Sequence, residues 1–180
     1  MQRSLPLAAL LLAASAFTAG CNSMGHDHDA PEAAAEEVII TKMGDERTAR
    51  LRGALEAFTR NDQAYTEGLL APGHMIFMAD GSEGISEDEW KTFADASHRA
   101  FKDMEFANLA MNTTDYPEYG AWTYAWCTFR ATSRATGETS RFPLHIMWQW
   151  DGDQVVREFH YADTTRFNEL LESTLAGLDG

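Results

Sequence analysis

The chain has 180 residues, is 44% hydrophobic and 11% aromatic, and sets 28 Asp and Glu against 14 Lys and Arg for a net charge of -14. That much apolar material excludes a disordered chain over most of the length. The acidity excludes general nucleic-acid binding, because so negative a surface repels phosphate backbones, and it equally opposes attachment to anionic lipid by charge.

The chain opens on Met1-Gln2-Arg3, continues apolar from Leu5 to Phe17, and reaches a cysteine through Thr18-Ala19-Gly20-Cys21. The apolar run is too short to cross ~30 Å of hydrocarbon at about 1.5 Å per residue, so residues 1–20 read as an export signal. The Ala-Gly-Cys ending resembles a bacterial lipoprotein signal, with Thr18 where that motif usually has Leu. The resemblance implies a lipid on Cys21 and a lipid-anchored place in the bacterial cell envelope. Asn22, rather than Asp, next to the cysteine implies the outer membrane, facing the periplasm. A secreted protein cut after Ala14-Ser15-Ala16 and a buried core helix are the alternatives. Cys127 is the one other cysteine. With Cys21 lipidated it has no disulfide partner, and its apolar setting makes it a small buried hydrophobe rather than a nucleophile. Residues 21–44 are polar and rich in Ala and Glu and read as a flexible acidic tether; within it His26-Asp27-His28-Asp29 carries metal donors but no closed site. About 135 residues are left, enough for one domain with a true core.

Asp45 is placed to cap a first helix with Leu51, Leu55 and Phe58 at helical spacing. Asn61-Asp62 breaks it, and a short second helix carrying Tyr65 and Leu69 inward runs to Pro72-Gly73. His74 to Ala79 is a strand and Asp80-Gly81-Ser82 a turn. Ser86-x-x-Glu89 is a capping box opening a third helix with Trp90, Phe93, Ser97, Phe101 and Met104 on its inner face. The period then changes from 3.6 to 2. Strands are expected over 105–113, 120–134, 140–150 and 154–162, with a tight hairpin at Asp151-Gly152-Asp153, and a final helix carries Phe167, Leu170, Leu171 and Leu175. Helices followed by long antiparallel strands predict an α+β fold over 45–177, with helices against one face of a curved sheet. A curled sheet and its helices enclose a cone, and an aromatic lining makes that cone a small-molecule pocket.

The segments Ala57-Phe58-Thr59-Arg60-Asn61-Asp62, Leu69-Leu70-Ala71-Pro72 and Gly84-Ile85, and the closing run Trp148 to Asp163, are similar to the nuclear transport factor 2-like superfamily in its polyketide-cyclase-type (SnoaL-like) branch. The resemblance covers about residues 46–176 and implies a cone-shaped curved antiparallel sheet wrapped around N-terminal helices, with a homodimer through the outer sheet face as the default. The superfamily includes isomerases, dehydratases, cyclases and proteins with no known chemistry, so the fold alone does not fix an activity. In one member, ketosteroid isomerase, an Asp base works with an oxyanion hole made of a Tyr and a protonated Asp. The matching positions here are Met78, Ala54 and Ile146, none of which moves a proton.

The same register implies a pocket lined by His74, Ile76 and Met78; by Trp122, Tyr124, Trp126 and Thr128; by Leu144, Ile146 and Trp148; and by Glu158 and His160, with His145 and Gln149 facing away. Glu158 and His160, two apart on one strand, share a face. Among aromatic rings they form a candidate acid–base pair, His160 as base and Glu158 as its orienter or as acid, with Tyr124 donating to a developing oxyanion. The bland reading pairs Glu158 with Arg141 or Arg157 and leaves His160 a core histidine. A zinc site from His74, His160 and Glu158 is chemically conceivable but lacks a close ligand motif, and no metal or other cofactor is expected. Three classes stay open: a module holding a small, mostly apolar molecule without turnover, a small cofactor-independent isomerase, dehydratase or cyclase, and an interaction scaffold whose pocket is filled by its own side chains.

Overall fold

The computed structural model describes residues 39–178 apart from Asp80 and Ser82; Cys21, residues 1–20 and the His26–Asp29 cluster lie outside the described residues. Seven strands form one sheet in the order β1-β4-β5-β6-β7-β2-β3: β1 Ile40–Lys42, β2 Leu70–Met78, β3 Ile85–Ser86, β4 Phe101–Tyr116, β5 Gly120–Ser133, β6 Thr139–Asp151 and β7 Gln154–Tyr161. Three helices, α1 Glu46–Thr59, α2 Glu87–Ala100 and α3 Thr165–Leu178, complete the α+β domain. The sheet is antiparallel except where β2 runs parallel to β7. No described helix is long and apolar enough to cross a membrane.

Each of the first two helices starts where its sequence supplies an acceptor. Asp45 caps α1 by accepting from the Thr48 amide at 2.9 Å. Ser86 and Glu89 close a reciprocal capping box on α2. The expected second helix is instead a single 3₁₀ turn, Gln63–Thr66, and Leu70 to Gly73 belong to β2; the side chain of Tyr65 lies outside what is described. Helix α2 ends at Ala100, so Phe101 and Met104 sit in β4, not on the helix face expected for them. Ile40–Lys42, which composition puts in the tether, pair with Thr113–Asp115 and extend the sheet edge.

Curvature comes from β4. Its register slips twice, between Lys102 and Glu105 and between Ala107 and Ala110, and each slip holds a residue with positive φ, Asp103 at 53° and Asn108 at 57°. Asp and Asn tolerate the left-handed region better than other side chains, and each bulge bends the strand. The helices pack into the resulting hollow. A buried polar line fastens α1 to the sheet: Thr113 Oγ1 donates to Asp45 at 3.0 Å, Thr113 and Thr123 share a hydroxyl bond, and the Trp150 indole donates to Thr123 Oγ1 at 2.9 Å.

Candidate functional site

The hollow holds a cavity of about 350 Å³ bounded by α1, α2, α3 and the inner faces of β2 and β4–β7. Its wall is mostly apolar, with aliphatic side chains and a set of aromatic rings. Phe58, Phe93, Phe129, Phe142 and Phe167 contact one another or Trp90 through centroid distances of 5.2–6.5 Å. The polar groups on its lining include Glu158 and His160 of β7, Glu87, Lys91 and His98 of α2, and Asn61, Asp62 and Asn168.

The pleat of β7 produces this pair. Residues 158 and 160 share the concave face, and in register Glu158 lies between Trp148 of β6 and Ile76 of β2, His160 between Ile146 and Met78. Apolar neighbours on both flanks keep water off the two polar groups, whose side chains are 13% and 10% exposed. His160 Nε2 is 2.5 Å from Glu158 Oε1, and the His160 ring meets Trp90 edge-on with centroids 5.2 Å apart. Glu158 therefore pairs with histidine rather than with Arg141 or Arg157. Its second oxygen, Oε2, is 3.6 Å from Nε2 of His74. Burial pulls the His74 pKa below the ordinary histidine value, partly offset by the nearby carboxylates of Glu158 and Glu87.

Ile76, Met78, Leu144, Ile146, Trp148, Glu158 and His160 all line the cavity, as does Ala54. His74 is brought to Glu158 but lies behind it, enclosed and off the cavity wall. Trp122, Tyr124, Trp126 and Thr128 are a correction: they face the other side of the sheet. In the β5–β6 register Trp126 stands opposite His145 and Tyr124 opposite Met147, whereas Ala125 stands opposite Ile146. Cross-strand partners share a face. Trp126 stacks on His145 at 4.8 Å and is 47% exposed, and the Tyr124 hydroxyl bonds to Tyr116. Desolvation and that bond push the Tyr124 pKa upward, but outside the cavity. Tyr124 therefore supplies no oxyanion donor to the cavity. His145 and Gln149 do face away from it, as expected.

Size-based reasoning fails on β5 because, from Ala121 to Cys127, its inner-face residues Ala121, Thr123, Ala125 and Cys127 are small and alternate with the large rings of the outer face. Phe129, on that same face, is the β5 side chain that lines the cavity. Cys127 is buried, and burial pushes its thiol up to about 11, away from nucleophile chemistry. Trp90 and Lys91, for which the sequence suggests no site role, reach the cavity from α2; the helical spacing that puts Trp90 on the inner face is the available signal. Among the described residues no three His, Cys, Asp or Glu side chains are arranged to hold a metal ion.

No protein-family model matches the chain, and no curated protein matches its sequence significantly. Solved structures do match its shape. A candidate polyketide cyclase from Pseudomonas putida superposes with a TM-score of 0.57 at 16% identity, covering 71% of this chain and 98% of its own. A candidate polyketide cyclase from Xanthomonas campestris gives 0.56 at 15% identity over 69% and 96%. A nuclear transport factor 2-like protein of unknown function from Burkholderia pseudomallei gives 0.53 at 21% identity over 71% and 98%. The curved open sheet, the helices in its hollow and these superpositions together give the chain the nuclear transport factor 2-like fold in the form shared with polyketide-cyclase-type proteins.

Proposed function

We propose that the domain is a small cofactor-independent acid–base enzyme, an isomerase, lyase or cyclase, acting on an apolar molecule that carries a carbonyl group. The observation that supports this reading is the His160–Glu158 pair, 2.5 Å apart, on the wall of the cavity and flanked by Trp148, Ile146, Ile76 and Met78. A pure binding module does not require an acid–base pair on its apolar wall. A scaffold filled by its own side chains would not leave about 350 Å³ empty. The structural neighbours that are candidate polyketide cyclases are consistent with the reading.

In the neutral imidazole, Nε2–H donates to Glu158 Oε1, which leaves Nδ1 as the acceptor. Nδ1 removes a proton from carbon beside the carbonyl, and the electron pair moves onto the carbonyl oxygen. The imidazolium so formed is stabilised by the Glu158 carboxylate. Returning the proton to a different carbon isomerises the substrate, expelling a β-substituent makes a double bond, and attack of the enolate on a second carbonyl closes a ring. With Tyr124 outside, Trp148 is the donor we assign to the developing oxyanion. It stands opposite Glu158 and lines the cavity.

The test is deuterium exchange at the α-carbon of a panel of cyclic ketones in D₂O, followed by mass spectrometry. The wild-type chain is expected to accelerate exchange of at least one ketone, and His160→Ala to lose about 10²- to 10⁴-fold of that rate, the usual share of general-base catalysis. Equal rates in the two proteins would end the proposal. Lipid anchoring through Cys21 is a separate proposal, checked by metabolic labelling with a fatty acid and its loss in Cys21→Ser.

A further inference from the structure

The acid–base pair has a third neighbour that does not line the cavity. The His74 side chain is fully enclosed on β2, with Nε2 3.6 Å from Oε2 of Glu158, while His160 Nε2 is 2.5 Å from Oε1. One carboxylate thus presents an oxygen to each of two imidazoles. Neither ring nitrogen of His74 has a hydrogen-bond partner among the described residues. A buried, unpaired polar ring is a standing cost that an apolar side chain of the same shape would avoid. The polar atom it faces is the Glu158 oxygen that His160 leaves free.

We propose that His74 is a positioning residue: its Nε2–H faces Oε2 and pins the carboxylate, so that Oε1 stays on His160 and holds that ring protonated on Nε2 with Nδ1 free. The inference rests on the function proposed above and extends the same site. A second carboxylate-facing donor has a definite purpose in that chemistry. When His160 takes the substrate proton, the carboxylate must not swing away from the new cation, and a donor on its far oxygen prevents the rotation. The groups facing His74 are Glu158 and His160 of β7 and Glu87 of α2, and Glu87 is itself paired with Lys91 at 2.7 Å. Burial disfavours the charged form of His74, so it turns a neutral N–H toward the carboxylate and does not compete with His160 as a rival cation. At 3.6 Å the contact is longer than a hydrogen bond, so the N–H acts on Oε2 as a facing dipole.

Imidazole ¹⁵N NMR on the full chain tests this without any substrate, because the two tautomers of a neutral ring have distinct nitrogen shifts. Ring signals are assigned by their loss in His74→Phe and His160→Ala. In the wild type both rings are expected to carry the proton on Nε2. His74→Phe keeps the ring shape without the facing N–H and is expected to raise the minor tautomer of His160 about twofold or more, the population change of a lost polar contact to the carboxylate. His74→Gln, whose amide N–H reaches a similar place, is expected to restore the wild-type tautomer. An unchanged His160 tautomer in folded His74→Phe, or a change that His74→Gln does not reverse, overturns the proposal. Wild-type His74 protonated on Nδ1 overturns it even where the Phe variant fails to fold. His160 protonated on Nδ1 in the wild type overturns the acid–base reading itself, and this assignment with it.

Discussion

Trp126 and Trp148 are the same residue type on neighbouring strands, and the structure gives them opposite fates. Trp148 is 3% exposed on the concave face beside Glu158, whereas Trp126 is 47% exposed on the convex face against His145. Replacing Trp148 by Ala removes a core side chain and should cost about 3–5 kcal/mol in urea unfolding, along with the proposed oxyanion donor. Trp126→Ala should cost under about 1 kcal/mol and leave ketone exchange unchanged, since most surface changes stay small. A large loss of exchange activity in Trp126→Ala would return that ring to the cavity. The two are indistinguishable in sequence, because alternation shows that residues 122, 124, 126 and 128 share a face and not which face it is. Cross-strand pairing settles the matter by putting His145 beside Trp126.

Element boundaries follow local chemistry closely wherever a capping side chain is present. Asp45 and the Ser86–Glu89 box start α1 and α2 where the sequence expects. Local signals mislead where tertiary pairing competes with them: Pro72-Gly73 looks like a helix end, yet β7 captures Leu70 to Met78 as a parallel strand. The β4 bulges have no sequence signature beyond Asp103 and Asn108 themselves. Their role yields a specific expectation. The left-handed region costs a β-branched residue about 1–2 kcal/mol, whereas glycine adopts it freely. Asn108→Val should therefore lower stability by about that amount and Asn108→Gly should not, as read by chemical denaturation. Equal stability of the two variants would mean that the bulge is not maintained by its backbone conformation.

For the molecule as a whole, the protonation of buried histidines links fold and pH. His74 and His145 both have folded pKa values below the ordinary 6.5, each chiefly because burial disfavours the charged ring. Between the folded and unfolded values the unfolded chain binds more protons, so stability there rises with pH. The domain is accordingly expected to be at full strength above about pH 6.5 with respect to these groups and to weaken as pH falls below it. Asp115 and Asp163, held low by Lys42 and Thr165 respectively, add their losses only further down, below 3.8. Urea unfolding at pH 7.5 and 5.5 should show the drop, and His74→Phe should reduce it; an identical drop in the two proteins would show that His74 is not buried as a neutral ring.

The order of helices and long strands, the capping positions, and the shared face of Glu158 and His160 were determined by the sequence alone. They depend on interactions only a few residues apart and on the twofold pleat of a strand. Which side of the sheet encloses space, and that His74 meets Glu158 from a strand far away in the chain, were decided only by tertiary structure. Pairing register and strand bending join residues that are distant in sequence, and no local periodicity carries that information.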